Sequence, residues 1–501
     1  MRKSKISSFC SLAVLLWLLT ACQTISTPKD VEVIDEWPAI YPDYIDVTIP
    51  TDIAPLNFTM LSDSVTTIDV TLKGSKSGNL HTNSSEKGSG ATAEFGLEDW
   101  HQLVDQNKGG NLQVTVCTEQ EGHWKQYREF TIHISEDSLG AWGITYRRIA
   151  PGYEHYGHMG LYQRNLSTFE ESSLIENNDH PGMCVNCHTA NQADPSRYVF
   201  HVRGEHGATA FVKDGQIELL QSKNEILGGA MVYPYWHPGG RYCAFSTNKT
   251  SQMFHARSNK RIEVYDAASD VFVYDTETKT ILNDTTVMRK YWAENCPVFS
   301  PDGQWLYYMT AKRQVYPTDY DQEKYSLCRI HFDAETGKIG EKADTLINAR
   351  LTGKSVTWPR PSYDGRYIMY TQADYGYFSV WHQEADLWLL DLQTGESRAM
   401  DEVNSDRSES LHNWTPNNRW FLFTSRREDG LYTRIYLAHI DAEGKATKPF
   451  LLPQQDPKHY YRSLLYSYNT PDFTIRRVET DAKALIKQLE SDQRTTTKTA
   501  N

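Results

Sequence analysis

The sequence predicts an all-β protein, with a β-sandwich-like domain at residues 38–140 followed by a β-propeller at residues 141–475. Three observations predict this class. Tyr, Trp and Phe number 30, 13 and 17 in 501 residues, and aromatic residues favour strands. Short segments with alternating apolar and polar residues fill the first part of the chain. In the second part, one layout of strand, tight turn and strand recurs.

The first domain is predicted from its short alternating segments. Residues 73–90 are rich in Gly, Ser and Asn and are predicted to form an exposed loop, and residues 95–104 are predicted to form one short helix. About 100 residues of short strands are typical of a small sandwich of immunoglobulin-like type. The predicted strands are residues 45–49, 67–72, 112–116 and 127–134.

The propeller is predicted from four repeats. Their turns carry Gly240, Gly303, Gly365 and Asn418, spaced 63, 62 and 53 residues apart, and Gly and Asn tolerate the positive φ of a tight turn. A second hairpin follows each segment, so each repeat supplies the four strands of one blade. The four segments are residues 235–246, 298–308, 360–370 and 413–423.

Two further blades are predicted from weaker signals. A degenerate blade begins at residues 198–202 and turns at residues 213–215, and another combines residues 145–166 with C-terminal strands near residues 464–468. Joining both chain ends in one sheet closes the ring and removes exposed edges. We therefore predict six blades, within a range of five to seven, and a C-terminal helix or tail at residues 476–501.

The four repeats resemble those of TolB-type WD40-like β-propellers. The resemblance covers residues from about 196 to 470, and Ser-Pro-Asp-Gly at residues 300–303 is its most specific match. It implies a propeller fold in the bacterial envelope. TolB carries an α/β domain before its propeller, whereas this chain is predicted to carry a β-sandwich, so a role in the Tol–Pal system is not implied.

The N-terminus predicts export. Three basic residues precede an apolar run at residues 12–19. This run is too short to span a bilayer, which takes about 20 residues. It is typical of a signal peptide, which we assign to residues 1–21. Residues 19–22 read Leu-Thr-Ala-Cys and resemble the lipobox of bacterial lipoproteins, which implies a lipid on Cys22. The alternative is a plain signal peptide with an incidental Cys.

The lipobox resemblance also implies a location. Gln23 follows the Cys, which favours the outer membrane, and we expect the anchor to hold the protein facing the periplasm rather than the cell surface. Residues 22–37 are then a flexible tether. The formal net charge of −13 and mean hydropathy of −0.59 are typical of a soluble chain, and the negative charge argues against nucleic acid as a partner.

One motif carries cofactor chemistry. Residues 184–188 read Cys-Val-Asn-Cys-His, the C-x-x-C-H attachment motif of c-type haem. The thiols of Cys184 and Cys187 would add to the haem vinyl groups, and His188 would bind the iron. Because Pro and polar residues flank the motif, we predict an inserted loop or short helix that carries one covalent haem c between blade-forming strands.

Other interpretations of the motif stay open. Cys184 and Cys187 could form a disulfide or contribute to a zinc site. The sixth iron ligand is not determined, and Arg203 is a candidate partner for a haem propionate. The candidate axial ligands are His158, Met159 and His206. Pairing is likewise undetermined for Cys117, Cys243, Cys296 and Cys328.

The function expected from these features is that of a lipid-anchored periplasmic haem protein. It would transfer electrons or dock a redox partner on the propeller. One alternative is a non-redox scaffold that binds an envelope protein, with Cys184 and Cys187 structural. A second is a haem oxidoreductase whose iron is open to a substrate. No G-x-S-x-G, H-E-x-x-H or P-loop motif occurs, which argues against a hydrolase, and no catalytic residue is assigned.

Overall fold

The structure is a computed structural model dominated by β-strands, which confirms the all-β prediction. Residues 1–27 lie outside the described part, so the predicted signal peptide and Cys22 have no structural account. The structure describes residues 28–85, 90–151, 157–179, 182–221, 227, 229–255, 260, 262–491 and 493–500.

The N-terminal domain consists of two sheets and one helix. A seven-stranded sheet has the order β1-β9-β8-β10-β3, with β5 on the other edge of β8 and β6 beyond it, and a smaller sheet has the order β2-β4-β7. Phe58 and Phe130 join the two sheets, with ring centroids 6.4 Å apart. The elements are β1 Glu32–Val33, β2 Ile40–Tyr41, β3 Thr48–Ile49, β4 Phe58–Met60, β5 Thr67–Gly74, β6 Asn79–Ser85, β7 Thr92–Ala93, α1 Leu97–Gln106, β8 Asn111–Gln120, β9 His123–Gln126 and β10 Phe130–Ile134.

Two details of this domain differ from the prediction. Residues 79–85 of the predicted loop form β6, because their backbone pairs along the whole of β5 despite their polar side chains. The predicted tether is also shorter than residues 22–37. Glu32 and Val33 pair with Lys125 and Gln126, so the chain joins the sheet by residue 32.

Six sheets follow in the described residues, five with four strands and one with a fifth strand from the C-terminal tail, and they confirm the predicted propeller with six blades. Blade 1 contains β11 Gly143–Ile149, β12 Met159–Asn165 and β13 Glu171–Glu176, and blade 2 contains β14 Cys184–Asn191, β15 Asp194–Arg203, β16 Ala208–Lys213 and β17 Gln216–Gln221. Blade 3 contains β18 Val232–Trp236, β19 Tyr242–Phe254, β20 Ile262–Asp275 and β21 Thr280–Leu282, and blade 4 contains β22 Trp292–Phe299, β23 Trp305–Lys312, β24 Ser326–Asp333 and β25 Lys338–Ile347.

The last two blades are followed by the C-terminal elements. After α2 Ala349–Thr352, blade 5 contains β26 Ser355–Pro361, β27 Tyr367–Ala373, β28 Asp386–Asp391 and β29 Ser397–Ala399, and blade 6 contains β30 Glu409–Trp414, β31 Trp420–Ser425, β32 Arg434–His439 and β33 Phe450–Leu451. The remaining elements are α3 Pro457–Ser463, β34 Ser467–Thr474, α4 Ala482–Glu490 and β35 Lys498–Thr499.

The ring closes through β34, the strand that follows blade 6 in the chain. β34 pairs antiparallel with β11, from Gly143 opposite Thr474 to Ile149 opposite Ser467, and so completes blade 1. The prediction that both chain ends share one sheet is confirmed, with the strand a few residues later than expected. Each innermost strand contacts the next around the ring, in the order β34, β14, β18, β22, β26 and β30, and β30 contacts β34.

Each innermost strand has the same irregularity midway along its length. At this point two residues of the innermost strand oppose one residue of the neighbouring strand, which is a β-bulge. The first residue of each bulge has a positive φ, between 43° and 55°. The six bulges therefore form a ring of irregular backbone around the propeller axis. Their first residues are Cys187, Tyr233, Cys296, Trp358, Leu411 and Thr470.

The N-terminal domain and the C-terminal tail both pack on the ring. The domain shares one hydrophobic core with blades 1, 5 and 6, and Trp420 Nε1 donates to the Asp137 carbonyl at 3.1 Å. In the tail, α4 buries Leu485 and Leu489 in the core of blade 2, and β35 pairs parallel with β21. Among the described residues, no helix has the length and apolar character needed to cross a bilayer.

Candidate functional site

The C-x-x-C-H motif lies in a strand, which corrects the predicted loop or short helix. Cys184 begins β14, the innermost strand of blade 2, and pairs with Arg203 of β15. The motif is therefore part of the blade rather than an insertion at residues 184–188. Pro and polar residues on either side of the motif suggested a loop, but the ring requires an innermost strand at this point of the chain.

Cys187 and His188 are the two bulge residues of β14. In four other innermost strands the second bulge residue is a proline, and in blade 6 it is His412. Asn186-Cys187-His188 thus corresponds to Asn295-Cys296-Pro297 of blade 4. Cys187 and His188 therefore occupy the bulge that recurs in the innermost strand of every blade. The four prolines are Pro234, Pro297, Pro359 and Pro471.

His188 is buried in the ring. It is 5% exposed, and its ring lies 6.0 Å from that of Tyr198. Neither ring nitrogen has a well-formed hydrogen bond to a described residue, although the Thr145 backbone lies near enough to favour the charged form slightly. Burial lowers the pKa of His188 to about 4. The imidazole is therefore neutral at physiological pH.

The surroundings of His188 do not fit haem c. The cavity beside Cys187 and His188, which we call the core cavity, has a volume of about 40 Å³, whereas pockets for ligands of drug size have about 300–1,000 Å³. All six innermost strands line this cavity, so it cannot widen without separating blades. The chain as folded here leaves no room for a porphyrin next to His188.

The alternatives to haem attachment also find no support in the described residues. Cys184 and Cys187 are free thiols, as are the other described cysteines, Cys117, Cys243, Cys296 and Cys328. No group of three or more His, Cys, Asp or Glu side chains in the described part could hold a metal ion.

The other predicted site residues fall into two groups. Arg147 joins Met159 to Cys184, because its Nη2 donates to Met159 Sδ at 3.3 Å and to Cys184 Sγ at 3.5 Å. Arg203 lies across the ladder from Cys184. His158 instead binds Glu176, with Nε2 and Oε2 3.2 Å apart, and His206 lies in the turn between β15 and β16, where its carbonyl accepts from Arg494.

A larger pocket opens next to the core cavity, at the end of the ring where the innermost strands begin. We call it the mouth pocket, and its volume is about 260 Å³. The bulge residues Cys187, Tyr233, Trp358 and Thr470 line both spaces and separate them. Blades 1, 2, 3, 5 and 6 all contribute residues to the mouth pocket, so it lies on the propeller axis.

The charges of the mouth pocket are all positive. Arg147, Arg203 and Arg426 line it, and no Asp or Glu does so among the described residues. None of the three forms an ion pair with a described residue. Arg426 is 4% exposed, and burial lowers its pKa to about 9 because Asp429 compensates only part of the desolvation. The site is a positive recess in a chain of net charge −13.

Arg426 is held rigidly. Its Nε donates to the Val380 carbonyl at 2.7 Å, and its Nη1 donates to the Leu431 carbonyl. Its guanidinium lies over the ring of Trp381, with Cζ 3.4 Å from the centroid, a cation–π contact. The guanidinium group of Arg147 has weaker hydrogen bonds. Its Nη2 contacts only two sulfur atoms, and its buried Nε has no partner among the described residues.

Aromatic and amide side chains form the rest of the wall. The aromatic rings give flat apolar surfaces, and the amides provide hydrogen-bonding groups between them. The aromatic residues are Tyr233, Trp358, Tyr377, Phe378 and Trp381, and the amide residues are Asn186, Asn248, Gln252 and Asn469.

A long hairpin forms one side of the pocket. β19 and β20 extend beyond the other strands of blade 3, and Thr250 and Ile262 of this extension line the pocket. Glu263 fastens the hairpin to blade 5, because its carboxylate lies 3.1 Å from His382 Nε2 and accepts from the Tyr375 hydroxyl at 2.5 Å. The pocket wall is thus held by buried polar contacts.

Of the residues that line the mouth pocket, sequence reasoning singled out only Cys187 and Arg203. Arg147 and Arg426 are 279 residues apart in the chain, and only ring closure brings them together. The one available signal was the repeated bulge position, at which an X-Pro dipeptide recurs in four of six innermost strands.

Comparison by sequence finds no match to a family model or to a curated protein. Solved structures give weak likenesses of fold. An ACO/RPE65 chimera has a TM-score of 0.37 at 9% identity, with 89% of this chain and 97% of that chain covered. A putative 6-phosphogluconolactonase from Bacteroides fragilis has a TM-score of 0.33 at 12% identity, with 64% and 98% covered.

A puromycin-hydrolysing peptidase of Mycobacterium tuberculosis has a TM-score of 0.35 at 12% identity, with 69% of this chain covered. The chain spans about half the length of that peptidase, 52%. Likenesses at this level carry no argument about fold or activity.

Proposed function

We propose that the protein is a ligand-binding propeller of the cell envelope, whose ligand enters the mouth pocket. The observation that carries the proposal is a recess on the propeller axis with a wall of aromatic rings and with three arginines that form no ion pair with a described residue. Concave pockets with apolar walls and a few convergent polar groups are the usual sites for small molecules. This proposal shares the absence of redox chemistry with the scaffold alternative from the sequence, but its ligand is a small molecule rather than an envelope protein.

A pocket-filling variant tests this function. Thr250 is exposed on β19 and lines the pocket, so Thr250→Trp fills it without disturbing the core. Ser251→Trp is the matched control, because successive strand residues point to opposite faces and Ser251 does not line the pocket. The probes are naphthalene-2-carboxylate and the neutral naphthalene-2-carboxamide, followed by the fluorescence of the pocket residues Trp358 and Trp381.

We expect at least one probe to bind wild type and Ser251→Trp with 1:1 stoichiometry, and neither to bind Thr250→Trp. Equal binding by Thr250→Trp and wild type would place the site elsewhere and refute the proposal. The absence of binding by wild type to either probe would count against it as well.

The envelope location rests on the sequence. The TolB-type resemblance and the lipobox at Cys22 support a lipid-anchored protein of the outer membrane, which faces the periplasm. Metabolic labelling with a fatty acid is expected to mark the wild-type chain and not Cys22→Ala. Labelling of both chains, or of neither, would contradict the anchor.

Haem attachment at Cys184 and Cys187 is the function expected from the sequence, and both thiols are unbridged in the structure. Electron transfer and haem oxidoreductase activity both depend on it. A pyridine haemochrome spectrum of protein expressed with a cytochrome c maturation system tests it directly. Because the core cavity does not fit a porphyrin, we expect no haemochrome, and a stoichiometric haem signal would overturn this expectation.

A further inference from the structure

We infer that the ligand of the mouth pocket is an organic anion, in which an oxyanion head group is joined to a flat apolar body. This inference rests on the proposed binding function and names its ligand class. Carboxylate, sulfonate and phosphate head groups share the required chemistry.

The positive charge of the pocket supports the oxyanion. Arginine presents a planar fork of donors that matches oxyanion geometry. Arg147, Arg203 and Cys187 line the same pocket. Burial raises the pKa of the Cys187 thiol, and the positive charges of Arg203 and Arg147 both oppose this rise. No described acidic side chain neutralises these two guanidinium groups, so an incoming anion meets donors that are free to bind it.

Arg426 adds a preorganised third charge. Its two backbone hydrogen bonds and its stacking on Trp381 hold it in one place. A donor that is already ordered loses little side-chain entropy when a ligand binds. Its buried charge is also incompletely compensated within the chain, and a bound anion would supply the missing counter-charge.

The apolar surfaces support the flat body. Trp358 and Phe378 lie with ring centroids 6.0 Å apart and interplanar angle 73°, and Ile262 and Val264 of the hairpin extend the same wall. The volume of about 260 Å³ is just below the range for drug-sized ligands. A small aromatic acid fits these dimensions, whereas an extended polymer does not.

The test compares head groups on one body. Naphthalene-2-carboxylate, naphthalene-2-sulfonate and 2-naphthyl phosphate are titrated calorimetrically against the neutral naphthalene-2-carboxamide. We expect at least one anion to bind wild type at least tenfold more tightly than the carboxamide, with an affinity that falls as salt rises. Arg203→Gln and Arg147→Gln should each remove most of this preference, and Arg147→Lys should retain part of it.

The matched control is Arg350→Gln, an exposed arginine outside the mouth pocket, which should leave every affinity unchanged. If carboxamide and anions bind equally and Thr250→Trp abolishes both, the pocket binds ligands but the anion inference is wrong. If anions bind tightly and Thr250→Trp does not affect them, both the inference and the proposed function fail. If no anion binds, the inference is overturned.

Discussion

The innermost strands of blades 2 and 6 occupy the same position in the ring, yet only one carries a cofactor motif. β14 places Cys187 and His188 at its bulge, and β30 places Leu411 and His412 there. His412 Nε2 lies 2.9 Å from the Met369 carbonyl and donates to it, whereas neither ring nitrogen of His188 has a well-formed hydrogen bond to a described residue. The two histidines thus share a structural position and differ in the hydrogen bonding of their imidazole rings.

This comparison shows that the repeat explains the histidine of C-x-x-C-H without any cofactor. A histidine at the second bulge position occurs where the chain does not use proline, and blade 6 has one with no cysteine beside it. What separates blade 2 is the pair of thiols and the unsatisfied imidazole. The following predictions test whether these differences are structural or chemical.

The largest expected difference is in stability. His412→Ala removes a buried hydrogen bond and leaves the Met369 carbonyl unpaired, and should lower the free energy of unfolding by about 3 kcal/mol. His188→Ala removes a side chain that lies beside an existing cavity and has no well-formed hydrogen bond to a described residue. It should lower the free energy of unfolding by about 1 kcal/mol. Urea unfolding monitored by circular dichroism measures both. A larger loss for His188→Ala would mean that His188 has a partner that the described residues do not show.

The second prediction concerns the stability of the fold at acid pH. Burial lowers the pKa of His188 to about 4 and that of His412 to about 3, below the unfolded value of 6.5. Between pH 6.5 and these values the unfolded chain binds protons that the folded chain does not, so each histidine destabilises the fold as pH falls. The wild-type free energy of unfolding should fall between pH 7 and pH 5, and His188→Gln and His412→Gln should each make this fall smaller by about 1–2 kcal/mol.

The difference between variant and wild-type profiles isolates each histidine from the carboxyls, which titrate over the same range. His123→Gln, an exposed change on β9, should leave the profile unaltered. An unchanged profile for His188→Gln would show that His188 is not buried as a neutral group.

The smallest expected effect is that of Cys187. Its side chain is half-buried, and Cys187→Ala should change the free energy of unfolding by no more than about 0.5 kcal/mol. The visible absorption of the purified protein should not change. Loss of a Soret band in Cys187→Ala, with the band present in wild type, would show that blade 2 differs from blade 6 by its chemistry.

The sequence predicted the propeller well because its signals were local. Gly303 and Asn418 lie at the predicted turns with φ of 73° and 60°, conformations that their residue types favour. The closure of blade 1 was also predictable, because a ring that leaves no open edge needs strands from both ends.

The bulges and the mouth pocket were less predictable. Trp358 and Thr470 adopt positive φ that their residue types disfavour, so the constraint comes from packing around the axis rather than from local preference. The flanking Pro and polar residues predict a loop or short helix at residues 184–188, whereas the correspondence of the motif with Asn295-Cys296-Pro297 is visible only in the ring. The convergence of Arg147, Arg203 and Arg426 depends on the whole ring.

The pairing of β34 with β11 has a consequence for synthesis. The ribosome makes Gly143 long before Thr474, its partner in the completed blade, so the first blade waits for a strand that is translated after the other five blades. A nascent or truncated chain that ends before Ser467 exposes the edge of β11, and unpaired edges template aggregation. Synthesis as far as Thr474 is therefore a condition for a sealed ring.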